Sequence, residues 1–302
     1  MNPGAGVVLA REGGAYRVML DGVERQAVLR GKAKREVERA VAGDRVRFDP
    51  ATLAEDVLGI EAVETRTSLL ERRIPGGRGT RPVAANVDQV IVVIAAADPA
   101  PIPQLLDRLL VVAEANDIPA LVVVNKTDLA PATDVIAHLA AAGYDVISTA
   151  ARRGDGIESL RIRLSGKESV FTGPSGAGKS SLLNALEPGL GLRIGAVSIR
   201  VGRGTHTTVS AIMIPLAIGG FVVDTPGFSD VGMWAMERAH LDECFPEFRP
   251  AIGECRFDDC THRTEPGCEV RALVETGAVP PSRYQSYLAI FAELVALPED
   301  WQ

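Results

Sequence analysis

The order of three short motifs constrains this chain more than anything else in it. Asn125-Lys126-Thr127-Asp128 comes first, Gly173-Pro174-Ser175-Gly176-Ala177-Gly178-Lys179-Ser180 follows, and Asp224-Thr225-Pro226-Gly227 comes last. Each stands directly behind a short apolar run, at 121–124, 169–171 and 221–223. Such runs, alternating with segments of helical periodicity at 102–115 and 133–142, predict a parallel sheet covered by helices on both faces. The motifs then sit at the C-terminal ends of strands, where open α/β sheets bind ligands.

The middle motif fits G-x-x-x-x-G-K-[ST] between a predicted strand at 169–171 and a predicted helix at 181–186. Glycines let successive backbone N–H groups curl around phosphate, and the helix N-terminus adds its partial positive charge. Gly173 to Ser181 are therefore candidate phosphate-binding residues, with Lys179 on the β- and γ-phosphates and Ser180 on Mg2+. A plain glycine-rich turn is the alternative, and the flanking strand and helix weigh against it. In the first motif, Asp128 can accept from guanine N1–H and N2–H2, whereas adenine would leave the carboxylate unpaired. Asn125 meets guanine N7 or holds the phosphate loop, Lys126 lays its stem on the base plane, and Thr127 completes the set. After a third strand at 145–148, Ser148-Thr149-Ala150 offers a backbone N–H near Ala150 to guanine O6. Asp224 would hold Mg2+ through water, and the Gly227 N–H would sense the γ-phosphate. GTP with Mg2+ is the expected ligand.

In ordinary GTPases the phosphate loop precedes N-K-x-D; here it follows. Joining the old termini and cutting elsewhere builds the same sheet, so the expected fold is a circularly permuted α/β P-loop GTPase domain at 83–235. The cut makes the Asp224 segment the last piece of that domain, so the C-terminal tail is expected to report nucleotide state.

The flanks differ in kind. Residues 1–65 show five short β-rich runs, at 7–9, 16–20, 26–29, 44–48 and 57–63, which suit a small β-barrel of the OB-fold type. Arg25, Arg30, Lys32, Lys34, Arg35 and Arg39 make its middle basic, either as a solvated face or as an RNA-facing surface. Residues 66–82 are rich in Gly and Arg and read as a linker. Residues 236–302 form a zinc-binding, largely helical C-terminal domain ending in an amphipathic helix from 282 to about 297. Within it, Cys255, Cys260, His262 and Cys268 form a Cys3His set suited to one structural Zn2+, with Cys244 left over as a buried thiol. The longest apolar run, at 90–97, is too short for a bilayer, and no basic stretch precedes an apolar one at the start. A cytoplasmic protein without membrane contact is expected. The net charge of -7 argues against nonspecific coating of nucleic acid.

In combination, these residues resemble the circularly permuted GTPases that assist late assembly of the bacterial small ribosomal subunit. Ala84-Ala85-Asn86-Val87-Asp88-Gln89 and the extended loop through Ser180-Ser181-Leu182-Leu183-Asn184 are similar to family motifs. The resemblance implies binding to the small ribosomal subunit and its rRNA in the GTP state and release on hydrolysis; a monomer is expected. Gly202-Arg203-Gly204-Thr205-His206-Thr207-Thr208 looks like the family's first switch. Val209 stands where the family often has a third Thr, and Thr208 is taken as the further Mg2+ ligand. Many GTPases orient water with a Gln after the D-x-x-G glycine; here that position is Phe228, which cannot. His206 is the candidate catalytic donor beside Lys179, with RNA contact or switch packing as its other roles. Two further readings stay open: an RNA-binding module gated by GTP in which hydrolysis is incidental, and a GTPase of the large subunit.

Overall fold

Alternating apolar residues in the first five strands need an interior to point into, and a barrel supplies one. The computed structural model describes residues 4–31, 33, 39–73, 80–190, 211–225 and 238–296. Strands β1 (Ala5–Glu12), β2 (Ala15–Leu20), β3 (Val23–Leu29), β4 (Arg45–Phe48) and β5 (Val57–Val63) close in the order β1-β2-β3-β5-β4. Val8, Val18, Ala27, Val46, Leu58 and Ile60 fill the inside. Gly6 has no substitute, because a Cβ there would lie 2.4 Å from the Met19 carbonyl and 2.8 Å from the Phe48 ring. The expected basic face is partly neutralised: Arg25 donates to the Glu55 carbonyl, and Arg30 pairs with the Glu55 carboxylate at 3.3 Å. Lys32, Lys34 and Arg35 lie outside the described residues.

The stretch expected as a linker corrects that expectation. Strands β6 (Leu69–Arg73) and β7 (Thr80–Ala85) pair antiparallel across it. Leu70 and Ala84 are fully buried in the core that they share with Leu9 of the barrel and Val90 of the next sheet. Burial of these apolar strand ends decides the structure of the described part of this segment.

The central sheet has the order β10-β9-β8-β11-β13-β12. Its strands are β8 (Gln89–Ala95), β9 (Ala120–Asn125), β10 (Asp145–Ser148), β11 (Glu168–Thr172), β12 (Ile212–Pro215) and β13 (Phe221–Asp224). All neighbours run parallel except β12 against β13. The two-residue period of a strand shows directly in β8: Val90, Val92 and Ile94 face one core, Ile91 and Val93 the other. Helices α1 (Pro103–Glu114) and α2 (Thr133–Ala141) contribute to the first core, α3 (Ile157–Leu164) and α4 (Lys179–Leu186) to the second. Strand β11 follows β10 in the chain yet lies between β8 and β13, which is the permutation in three dimensions.

Asn86 welds the barrel to this sheet. Its side chain accepts from the Thr67 N–H at 2.8 Å and donates to the Gly43 carbonyl at 2.8 Å. Beside it, buried Asp44 takes Arg66 on both oxygens, at 2.7 and 2.9 Å.

After the sheet, short 3-10 turns lead to helices α5 (Glu269–Glu275) and α6 (Pro281–Ala296). Arg283 of α6 is fully buried; it donates to Asp107 of α1 at 2.8 Å and to Glu247 at 2.5 Å, and lies over the Phe245 ring. This ionic clamp fixes the C-terminal segment to the sheet's own helix.

Candidate nucleotide site and metal cluster

The phosphate loop leaves β11 at Thr172 and enters α4 at Lys179. Two of its glycines are dictated by close approach. Gly173 has φ 136°, and a Cβ on it would fall 1.9 Å from the Val93 carbonyl oxygen. Gly178 has φ 96°, and a Cβ there would fall 2.2 Å from Asn125 Nδ2. Pro174 is half-buried, Ser175 and Gly176 face solvent, and Ala177 is buried beneath the loop. Ser180 and Ser181 stand in the first turn of α4. Lys179 Nζ donates to the carbonyls of Gly173 at 2.5 Å and Pro174 at 3.0 Å, so it lies inside the curl of the loop. Burial lowers its pKa, and the nearby Asp224 carboxylate opposes that shift. Asp224 ends β13 in register with Phe171 of β11, beside the loop's entry.

Asn125 ends β9 and is almost fully buried. Of its two expected roles the structure shows the second: Nδ2 donates to the Ala177 carbonyl at 3.0 Å, which holds the phosphate loop. Its Oδ1 accepts from Thr149 Oγ1 at 3.1 Å and the Ala151 N–H at 3.2 Å. One side chain thus ties its own loop to the phosphate loop and the Thr149 turn, three of the four loops named from sequence. Thr127 donates twice to the Thr149 carbonyl, from its N–H at 3.1 Å and its hydroxyl at 3.0 Å. Lys126 has φ 61°, and its ammonium donates to the Asp98 carbonyl. Asp128 lies 3.9 Å from Arg153 Nε.

A backbone N–H near Ala150 is expected to meet guanine O6, and that of Ala150 itself is engaged. Its N–H donates to the Asp155 carbonyl at 3.0 Å in an isolated bridge, so it is already committed. The Thr149, Ala151, Arg153 and Gly154 N–H groups are also taken, by Val124 O, Asn125 Oδ1 and Ala150 O. Arg152 alone in this stretch donates its N–H to no acceptor among the described residues. Ser148 closes β10 beneath this turn. His206, Thr208 and Gly227, with Phe228, lie outside the described residues.

The sequence reading missed the loop after β8. Asp98 receives Lys126, and Pro99 stands 3.2 Å from where a Gly176 Cβ would be. Its position at a C-terminal strand end was the available signal.

In the C-terminal segment, the ligand atoms of Cys255, Cys260, His262 and Cys268 all lie within 4.8 Å of one another. His262 is buried with φ 56°, and its Nδ1 lies 3.5 Å from Cys255 Sγ and 3.4 Å from Cys268 Sγ. Glu265 shapes the intervening turn by accepting from the N–H groups of Thr261 at 3.0 Å, Arg263 at 2.9 Å and Thr264 at 3.0 Å. Partial burial pushes its carboxyl up, but these bonds and the Thr261 hydroxyl outweigh that and hold it down to about 2. Tyr284 and Tyr287 of α6 donate to the carbonyls of His262 at 2.7 Å and Thr261 at 2.8 Å. Three thiols and an imidazole converging at this range fit a tetrahedral metal, so the cluster could hold one ion. Cys244 is buried apart from it, and burial pushes its thiol up to about 12. No helix among the described residues is long and apolar enough to cross a membrane.

The RsgA GTPase family model matches residues 63–234. A relative from Gemmatimonas aurantiaca, named small ribosomal subunit biogenesis GTPase RsgA, is 48% identical, with 96% of this chain and 97% of the relative covered. A relative of the same name from Moorella thermoacetica is 43% identical, with 96% and 97% covered. Among solved structures, YjeQ from Thermotoga maritima aligns with a TM-score of 0.80 at 34% identity, covering 97% of this chain and 99% of that one. YloQ, described as a circularly permuted GTPase, aligns with a TM-score of 0.77 at 30% identity, covering 98% and 96%.

Proposed function

Since the chain belongs to the RsgA GTPase family, we propose that it hydrolyses GTP in late maturation of the small ribosomal subunit. The observation that carries the chemistry is Asn125, which joins the phosphate loop, the Asp128 loop and the Thr149 turn through one buried amide. Nothing in the packing of an ordinary turn calls for that arrangement; a nucleotide touching all three loops does.

In this reading Asp128 leaves Arg153 and accepts from guanine N1–H and N2–H2. The Arg152 N–H, rather than that of Ala150, meets guanine O6. Lys126 keeps its stem along the base plane while Asp98 holds its ammonium. The N–H groups of the 173–178 loop and the first turn of α4 surround the phosphates, and Lys179 turns from the Gly173 and Pro174 carbonyls to the β- and γ-oxygens. Ser180, Asp224 and Thr208 would hold Mg2+, which when bound neutralises charge on those oxygens. Gly227 senses the γ-phosphate, and His206 orients the attacking water in place of the Gln that Phe228 replaces. Phosphate leaves with the proton drawn from that water, and GDP remains. Cys255, Cys260, His262 and Cys268 would hold one structural Zn2+ that staples a loop-rich segment.

The working division is a barrel at 1–65 with an rRNA-facing surface, a connection at 66–82 that the hairpin stiffens, a GTPase unit at 83–235, and a metal-bearing unit at 236–302. The protein acts as a cytoplasmic monomer that binds rRNA in the GTP state. The test is GTP hydrolysis by the full chain, alone and with purified small subunits, using large subunits and ATP as controls. Stimulation by small subunits alone is expected. Binding of GTP with no response to either subunit would remove the ribosomal assignment and leave the nucleotide site standing.

A further inference from the structure

A histidine can ligate through either nitrogen, and the hydrogen bond made by the other nitrogen decides which. His262 Nε2 lies 3.2 Å from Asp242 Oδ2, on the side of the ring away from the thiols. A carboxylate only accepts, so Nε2 carries the proton and donates, which leaves the lone pair on Nδ1. Nδ1 is the nitrogen within 3.5 Å of Cys255 Sγ and Cys268 Sγ. Asp242 is itself held in place, because its Oδ1 accepts from the Glu243 N–H at 3.1 Å and leaves Oδ2 for the imidazole. It also lies outside the cysteine-rich run, on a 3-10 turn, Asp242–Cys244, that precedes the first ligand.

The ring has few other constraints. Phe248 and Tyr287 pack near it with centroids 6.5 and 6.3 Å away, close enough to exclude water but without a polar atom on Nε2. The imidazole side chain is 3% exposed and that of Asp242 18%. A buried N–H with no acceptor is costly, so removing Asp242 favours rings turned away from the thiols.

We propose that Asp242 is a positioning residue for the metal cluster: it fixes the His262 tautomer, presents Nδ1 as the ligand atom, and thereby sets metal affinity. The proposal rests on the reading that the cluster holds a metal. Partners of this kind typically change affinity by about 10–100-fold.

The test uses the full-length protein, with Zn2+ affinity measured by competition against a chromophoric chelator and Co2+ spectra as a second readout. Asp242→Ala is expected to weaken Zn2+ binding by about 10–100-fold and to change the Co2+ ligand-field bands. Asp242→Asn keeps an acceptor oxygen and is expected to fall between Asp242→Ala and the unaltered protein. The same Asp242→Ala change is then made in a His262→Cys background, where no imidazole remains to orient. There it is expected to alter affinity by less than about threefold, since coupled partners deviate from additivity. Equal losses in both backgrounds would mean that Asp242 only supports the local fold, and would overturn the proposal. Unchanged affinity in Asp242→Ala would overturn it as well. An unaltered protein that binds no Zn2+ or Co2+ would sink the metal reading itself, a pattern distinct from either failure.

Discussion

Glu168 begins β11 at the end of the sheet away from the phosphate loop, and there it meets the barrel. Arg45 of β4 lies 3.4 Å from its Oε1, while Oε2 is buried without a partner. Burial raises the carboxyl to about 7, Arg45 only partly opposes this, and the Asp88 charge adds to it. The sign follows from linkage. The folded chain holds a proton on Glu168 at pH values where the unfolded chain has lost it, so stability falls as pH rises from about 4.5 to about 7. At ~1.4 kcal/mol per pH unit the full loss would be ~3 kcal/mol. Arg45 is more than half exposed and solvent screens the pair, so ~2 kcal/mol is the working figure. Glu168→Gln removes the titration and keeps the shape. In urea unfolding, the variant should match the unaltered protein near pH 5 and exceed it by ~2 kcal/mol near pH 8. GDP affinity should not change, because the phosphate loop is at the other end of β11. A stability difference that is the same at both pH values would refute the account of Glu168.

Asn125→Ala removes three hydrogen bonds between loops and leaves their partners unpaired; calorimetry should show GDP affinity falling by about 10–100-fold, and urea unfolding a loss of about 1–3 kcal/mol. Asp128→Asn should weaken GTP by about 10–100-fold and favour xanthosine triphosphate, whose N1 and O2 pair with an amide; nucleotide competition reads this directly. Arg283→Met leaves Asp107 and Glu247 buried without their cation and should cost about 3–5 kcal/mol in denaturant unfolding. Adding Asp107→Leu should recover part of that loss, because the stranded charge goes with it.

Much of the fold was legible because its signals are local. The five barrel strands have alternating apolar residues, and β8 and β9 are continuous apolar runs ending at recognisable loops. The phosphate loop and the Cys3His spacing carry their chemistry in adjacent residues. What escaped depended on distant partners. Leu70 and Ala84 make the supposed linker a hairpin only because the barrel and sheet bury them from two sides. The Ala150 N–H is held by Asp155, a return contact that a three-residue motif cannot reveal. Arg283 looks like an ordinary surface cation of an amphipathic helix until Asp107 and Glu247 close around it. Asp242 has nothing beside it in sequence that points to His262.

The expectation that the tail reports nucleotide state can now be made specific. The C-terminal segment is tied to the nucleotide sheet by the buried Arg283–Asp107 pair between α6 and α1. The chain also reaches it from Asp224, through 226–237, into the turn that carries Asp242. One attachment is a buried ion pair that costs about 3–5 kcal/mol to break, backed by the Arg249–Glu114 pair and the Val111 packing; the other starts at Asp224, which would hold Mg2+. A change of nucleotide should therefore act on the second attachment and leave the first alone. Amide exchange at Leu241–Phe245 is expected to differ between the GDP-bound and GTP-analogue-bound protein, while exchange along α6 near Arg283 stays the same. Arg283→Met should then spread part of the difference into α6, because the buried ion pair is gone and only the outer pairs Arg108–Glu293 and Arg249–Glu114 and the Val111 packing remain. Identical exchange at Leu241–Phe245 in the two nucleotide states would show that the order of the motifs, however unusual, does not transmit the state of the site to the tail.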